Sequence, residues 1–169
     1  IKYSYKGMKT QAGGRGALGF AEVTTEDVTA KTKTIKYFRQ DSPFNGMLSK
    51  SEIFVDGQLA ERTTVATWWN LASNNNQSRF VAPRKQQTDN YYLNADYGDI
   101  SSAIAALTTV AETTFEMTAA NYPRVKSTVT TVSDKLDNTS SSQTVSYEYT
   151  DEDLTNWRIK RPTRTVTSR

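Results

Sequence analysis

The chain has 169 residues and a mass of 18.9 kDa, 36% of it hydrophobic and 23% charged, which suits one ordinary domain or one piece of a larger protein. It contains neither cysteine nor histidine. Disulfides, thiolate nucleophiles, Cys/His zinc sites, imidazole acid–base chemistry and Ser/His/Asp triads are therefore excluded within this chain. The balance of 21 basic against 18 acidic residues leaves only +3. The basic residues are spread out until Arg158, Lys160, Arg161, Arg164 and Arg169, and no aromatic-rich basic groove accompanies that run, so it reads as a solvated strand face rather than a nucleic-acid surface.

Threonine and serine supply 25 and 15 residues. Threonine is β-branched and favours extended backbone, so the composition predicts strands. The chain opens on Ile1-Lys2-Tyr3-Ser4-Tyr5-Lys6, inside what reads as a strand, which suggests a segment excised from a longer protein. Tyr3 and Tyr5 alternate with Lys2, Ser4 and Lys6 and are expected to face a core. Gly13-Gly14-Arg15-Gly16 reads as a turn, bulge or tight crossing. Arg15 could then pair with a carboxylate such as Asp41 or Asp27. Gly14, Gly16 and Gly19 match G-x-G-x-x-G, but the Thr-rich run that follows is a poor helix, so a nucleotide cradle is the weaker reading.

Further along, Ile35 and Tyr37 alternate about Lys36. Asp56-Gly57, between Glu52–Val55 and Gln58–Ala60, predicts a type I′ hairpin within Ser51–Trp69. The neighbours Trp68 and Trp69 could form a sugar platform with Tyr91 and Tyr92. The competing reading places the two indoles on opposite faces of one strand. Asn74–Asn76 and Tyr97–Asp99 punctuate the chain. A short helical turn is expected over Ser101–Ala106, then a strand from about Leu107 to Met117. Glu112 and Glu116 fall on its polar side and read as solvated carboxylates. Asp137–Ser142 suggests a longer, mobile hairpin loop, followed by a strand in which Val145, Tyr147 and Tyr149 alternate with Ser146, Glu148 and Thr150. Asp151-Glu152-Asp153 lacks the spacing of a calcium loop. Trp157 and Ile159 alternate with Arg158 and Lys160. Faint echoes of Tyr-x-Tyr and Trp in the two halves outline sub-units at 1–72 and 91–169 within a single fragment spanning 1–169.

One set of motifs is denser than the rest. Tyr3 and Tyr5 precede Gly7; then come Gly14-Arg15-Gly16, Leu18-Gly19-Phe20, and, after Tyr37-Phe38-Arg39, Gln40-Asp41-Ser42-Pro43-Phe44-Asn45-Gly46. This resembles a stretch of the Rhs/YD-repeat superfamily, in proteins like the toxin-complex B component and the N-terminal region of Salmonella-type plasmid virulence toxins. Phe38-Arg39 intervenes where that pattern runs from Tyr towards Gln-Asp, and Lys160 stands in place of a glycine in the more distant match at 156–163. The first 47 residues carry the specific part. The resemblance implies a segment of a β shell that encloses or presents a toxic polypeptide, in a secreted or cell-surface bacterial protein. It implies contacts with other segments of the longer chain or with toxin-complex subunits, and it carries over no catalytic residue.

The fold class expected is all-β, with antiparallel sheets of long hairpins. The expected function is non-enzymatic, without catalytic residues, cofactor, metal, nucleic-acid partner or membrane span, and the strand edges left by excision are expected either to pair with a second copy or to lie buried under a loop. The alternative is a carbohydrate- or protein-binding β-sandwich module using Trp68 and Trp69.

Overall fold

A computed structural model describes residues 1–14, 16–72, 79–93, 105–118, 123–149 and 162–169. They form twelve strands: β1 (Lys2–Lys6), β2 (Lys9–Gln11), β3 (Gly16–Gly19), β4 (Glu22–Asp27), β5 (Thr32–Phe38), β6 (Leu48–Val55), β7 (Gln58–Ala72), β8 (Arg79–Tyr91), β9 (Ala105–Met117), β10 (Pro123–Asp134), β11 (Thr139–Tyr149) and β12 (Pro162–Ser168). Ten of these make one sheet in the order β1-β4-β5-β6-β7-β8-β9-β10-β11-β12, and β2-β3 form a separate two-stranded ribbon between β1 and β4. Every pairing is antiparallel. The protein is all-β, as its composition predicts. No described helix is long and apolar enough to cross a membrane.

The turns follow from local chemistry. Asp56 and Gly57 adopt φ of 50° and 83° while Val55 pairs with Gln58. Positive φ at both central residues is what a type I′ turn requires. Between β4 and β5, Asp27 Oδ1 accepts hydrogen bonds from the amides of Thr29 (2.9 Å) and Ala30 (3.0 Å), and Lys31 takes φ 51°. The same device corrects the expected loop at 137–142. Asp134 Oδ1 accepts from the amides of Leu136 (2.9 Å) and Asp137 (3.3 Å), Asn138 takes φ 52°, and Thr139 already pairs with Asp134. The carboxylate closes the turn at once, so Ser140, Ser141 and Ser142 extend β11. The strand expected over Leu107–Met117 is β9, and it also takes in Ala105 and Ala106. Residues 101–104 of the expected helical turn lie outside the described residues, as do Asn74–Asn76, Tyr97–Asp99, Asp151–Asp153, Trp157 and Ile159.

Four consecutive ladder rows cross nine strands without a break. On one face lie Lys6, Glu22, Tyr37, Lys50, Thr64, Gln87, Val110, Thr131 and Ser142, and beside them Ser4, Thr24, Ile35, Glu52, Arg62, Asp89, Thr108, Ser133 and Ser140. On the other lie Tyr5, Val23, Lys36, Ser51, Thr63, Thr88, Thr109, Val132 and Ser141, and then Tyr3, Thr25, Thr34, Ile53, Glu61, Asn90, Leu107, Asp134 and Thr139. Because side chains alternate across a strand, the first is a charged face. The second is a hydroxyl-rich face whose only charges in these rows are Lys36, Glu61 and Asp134.

Among the described residues no second strand layer lies over either face, although Met47 and Trp68 share a cleft with Ser51, Thr63, Val65 and Gln86 of the hydroxyl-rich face. Among the described residues, only Leu18, Phe54 and Leu59 are buried apolar side chains. Tyr3 and Tyr5 share a face as their spacing predicts, but remain 61% and 54% exposed, because the edge strand β1 has no layer opposite it. The other edge strand, β12, is exposed throughout.

Candidate functional site

Residues of the glycine-rich and Gln-Asp-x-Pro-Phe segments meet at the foot of the β2–β3 ribbon. The chain leaves β1 at Gly7, runs out and back through the ribbon, and re-enters the sheet after Gly19. Gly7 has φ 65°, and a Cβ there would lie 2.8 Å from the Ala21 Cβ, so both torsion and space call for glycine. Gln40, just beyond β5, donates its side-chain amide to Gly7 O (2.6 Å) and Gly19 O (2.7 Å). Ala21 N reaches Lys6 O (3.0 Å) and Gly7 O (3.2 Å), and Phe38 N reaches Ala21 O (2.8 Å). One side-chain amide thus clamps both ends of the ribbon.

The segment after Gln40 folds into a compact loop. Arg39 N bonds Met47 O (2.9 Å), Gly46 N bonds Arg39 O (2.8 Å) with Gly46 at φ 78°, and Ser42-Pro43 is cis. Arg39 makes a two-pronged ion pair with Asp41, through Nε to Oδ1 (2.8 Å) and a second guanidinium nitrogen to Oδ2. That bond holds the Asp41 carboxyl below its ordinary range. Asp27 is occupied by turn amides, so both carboxylates considered for Arg15 have other partners; Arg15 itself lies outside the described residues. The Arg39 guanidinium sits 3.9 Å from the Phe44 ring centroid and 5.7 Å from that of Trp68, and Phe44 and Trp68 are 5.5 Å apart. Tyr5 and Phe20 stack at 4.9 Å. Gly13 and Gly14 lie in the ribbon turn and Gly16 opens β3, so Gly16–Gly19 is a strand rather than the helix a nucleotide cradle needs. Below the loop, Met47, Leu48, Val65, Trp68 and Pro83 line an open cleft of about 190 Å³.

Trp69 has different partners. Pairing of β8 with β9 stops at Lys85 and Glu112, and Pro83 has no amide to extend it. Trp69 Nε1 instead donates to Thr113 O (2.9 Å), and its ring meets Phe115 edge-on at 6.2 Å, with Phe80 5.0 Å from Phe115. Arg84 lies 5.1 Å from the Trp69 ring centroid. The indoles therefore serve separate clusters and do not join Tyr91 and Tyr92 in one platform. Trp68 anchors the 39–47 loop; Trp69 fastens the β7–β8 arm to the β9–β10 arm.

Sequence reasoning missed a polar network on the charged face. Glu52 is 6% exposed and accepts from Tyr37 Oη (3.0 Å), Arg62 Nε (2.9 Å) and Lys50 Nζ (3.3 Å). Burial pushes its pKa up, but Arg62, Tyr37 and Lys50 outweigh that and leave it lowered. Burial, and then the bond to Glu52, push the Tyr37 hydroxyl up to about 12. The only sequence signal was Glu52 itself, a carboxylate inside a hairpin strand. Glu112 faces Arg84 (3.3 Å) and Glu116 faces Arg124 (2.6 Å), so both are ion-paired. Among the described residues, no group of three or more Asp or Glu is arranged to hold a metal ion.

Comparison with protein-family models, curated proteins and solved structures finds no match to this chain.

Proposed function

We propose that this chain is a non-enzymatic wall: a segment of an Rhs-like β shell in a secreted bacterial protein, which encloses or presents a toxic polypeptide. The observation that carries the reading is one ten-stranded meander in which only Leu18, Phe54 and Leu59 are described as buried and apolar. An enzyme or small-ligand module ordinarily holds its chemistry over a packed core. Here the binding energy resides in ladders and cross-strand polar pairs, as a wall requires. The clamp supports the family reading, since Gly7, Gly19, Gln40, Asp41, Phe44 and Gly46 act together in building one local structure. The carboxylates best placed for acid–base work, Glu52, Glu112 and Glu116, each face a guanidinium.

The test is protease protection in the complete open reading frame. The polypeptide encoded beside this segment resists protease when the segment is intact and becomes sensitive when residues 1–47 are deleted. A reading frame that encodes this segment alone, or protection unchanged by the deletion, overturns the proposal.

A further inference from the structure

The chain as a whole exposes more surface than a compact monomer of its size. The chain exposes 11031 Å². A compact monomer of 18.9 kDa would expose about 8,300 Å², so the excess is roughly 2,700 Å². A stable complex takes about 800 Å² from each partner, and obligate dimers take more. That excess is more than such a contact takes from one partner.

The two faces are not equally ready to be covered. The charged face is already roofed by its own long side chains: Lys33 lies 4.5 Å from the Phe54 ring centroid, and Arg62 and Lys50 close over Glu52. Covering it would mean desolvating Lys6, Glu22, Lys50, Arg62 and Asp89. The opposite rows offer Val23, Ile53, Thr63, Thr88, Thr109 and Val132, and the row beyond adds Gln86, Ala111, Thr130 and Gln143, again uncharged. Depletion of charge at the centre of a patch is the compositional mark of an interface.

We propose that this face packs against the same face of a second copy of the chain, forming a two-layer sandwich. Two of its three charges, Lys36 and Asp134, favour that occupant, while Glu61, which comes beside its own mate near the axis, sits in the row close to the Asp56-Gly57 turn where the layer opens to solvent. Consider a two-fold axis parallel to the strands, midway across the sheet between β7 and β8. It lays β5 of one copy over β10 of the other. Lys36 then meets Val132 of the second copy with that copy's Asp134 one rung away, about 6.6 Å along the strand. That is within reach of a lysine side chain, and the symmetry repeats the pair. Sandwich sheets lie about 10 Å apart, which the short Thr, Val, Ser and Ala side chains of these rows can fill. The inference rests on the open layer and not on the enclosed polypeptide, so it and the wall reading fail separately.

The chain has no cysteine, so a single introduced thiol reports on one face. Thr109 and its neighbour Val110 on β9 lie on the hydroxyl and charged faces respectively. The unmodified chain should elute in size-exclusion chromatography with light scattering at twice 18.9 kDa. At that concentration Thr109→Cys should react with a maleimide about tenfold or more slowly than Val110→Cys, with the gap closing on dilution. Lys36→Glu, which sets like charges opposite each other, should weaken the dimer about tenfold or more while strand content by circular dichroism is retained. A monomer at every concentration overturns the proposal. So does a dimer in which both thiols react alike, which means edge pairing, or one in which Val110→Cys is the protected site. A monomer whose longer polypeptide still protects its neighbour would remove the dimer and leave the wall standing.

Discussion

Gln40 gives the sharpest test of the clamp. Its amide donates to Gly7 O at 2.6 Å and Gly19 O at 2.7 Å, joining residues 33 and 21 positions away. Gln40→Ala removes both bonds. At about 1 kcal/mol net per bond, reduced because the site is partly wet, the loss should be about 1–2 kcal/mol. In urea, with a slope near 2 kcal/mol/M, the midpoint should fall by about 0.5–1 M. Gln40→Glu keeps the shape but replaces the donor with a carboxylate facing two carbonyl oxygens. It should cost about 1 kcal/mol more than alanine near pH 7. That extra cost should vanish below about pH 4, where the carboxyl regains a proton to donate. Hydrogen exchange should show the ribbon, residues 9–19, opening first. A glutamate variant as stable as the wild type at pH 7, or an alanine variant with an unmoved midpoint, would refute the donor argument.

Gly7→Ala should destabilise by about 2–3 kcal/mol, combining left-handed strain with the 2.8 Å approach to Ala21, whereas Gly13→Ala, with open space around it, should cost about 1 kcal/mol; paired urea titrations separate the two terms. Trp69→Phe keeps the contact with Phe115 but loses the bond to Thr113 O, so it should cost about 1 kcal/mol and speed amide exchange across 79–83 and 113–117. The pH dependence has two limbs. Glu52 titrates below its ordinary range when folded, so its contribution is present above that range and is lost as pH falls through the folded value; Glu52→Gln should flatten the acid limb of the urea midpoint. Tyr37 is raised from 10.0 to about 12, so its contribution is full below pH 10.0 and is lost as pH rises through about 12; Tyr37→Phe should flatten the alkaline limb and remove a tyrosinate that forms only near pH 12.

The strands and the hairpin were legible because they depend on local chemistry. Threonine density set the backbone preference over Leu107–Met117, and Asp56-Gly57 set a turn that needs only two residues at positive φ. The 137–142 loop was misread because its length is decided upstream: Asp134 captures the turn amides, which composition at 137–142 does not register. Tyr3 and Tyr5 show a deeper limit. Two-residue alternation says which residues share a face, but not whether anything lies opposite that face. For the site, the motif spacing singled out Gly7, Gly19 and Gln40, but the reason they belong together is a contact across 33 residues. Trp69 reaches Thr113 across 44, because Pro83 ends the intervening ladder.

One unbroken sheet joins the described strands from β1 to β12, with β8 as its middle joint rather than a boundary between two units. Amide hydrogen exchange, resolved by strand, tests it directly. Continuous protection is expected from β4 through β11, including Arg79–Tyr91, with faster exchange at the edges Lys2–Lys6 and Pro162–Ser168. Two separately protected blocks, flanking a β8 that exchanges freely, would contradict it.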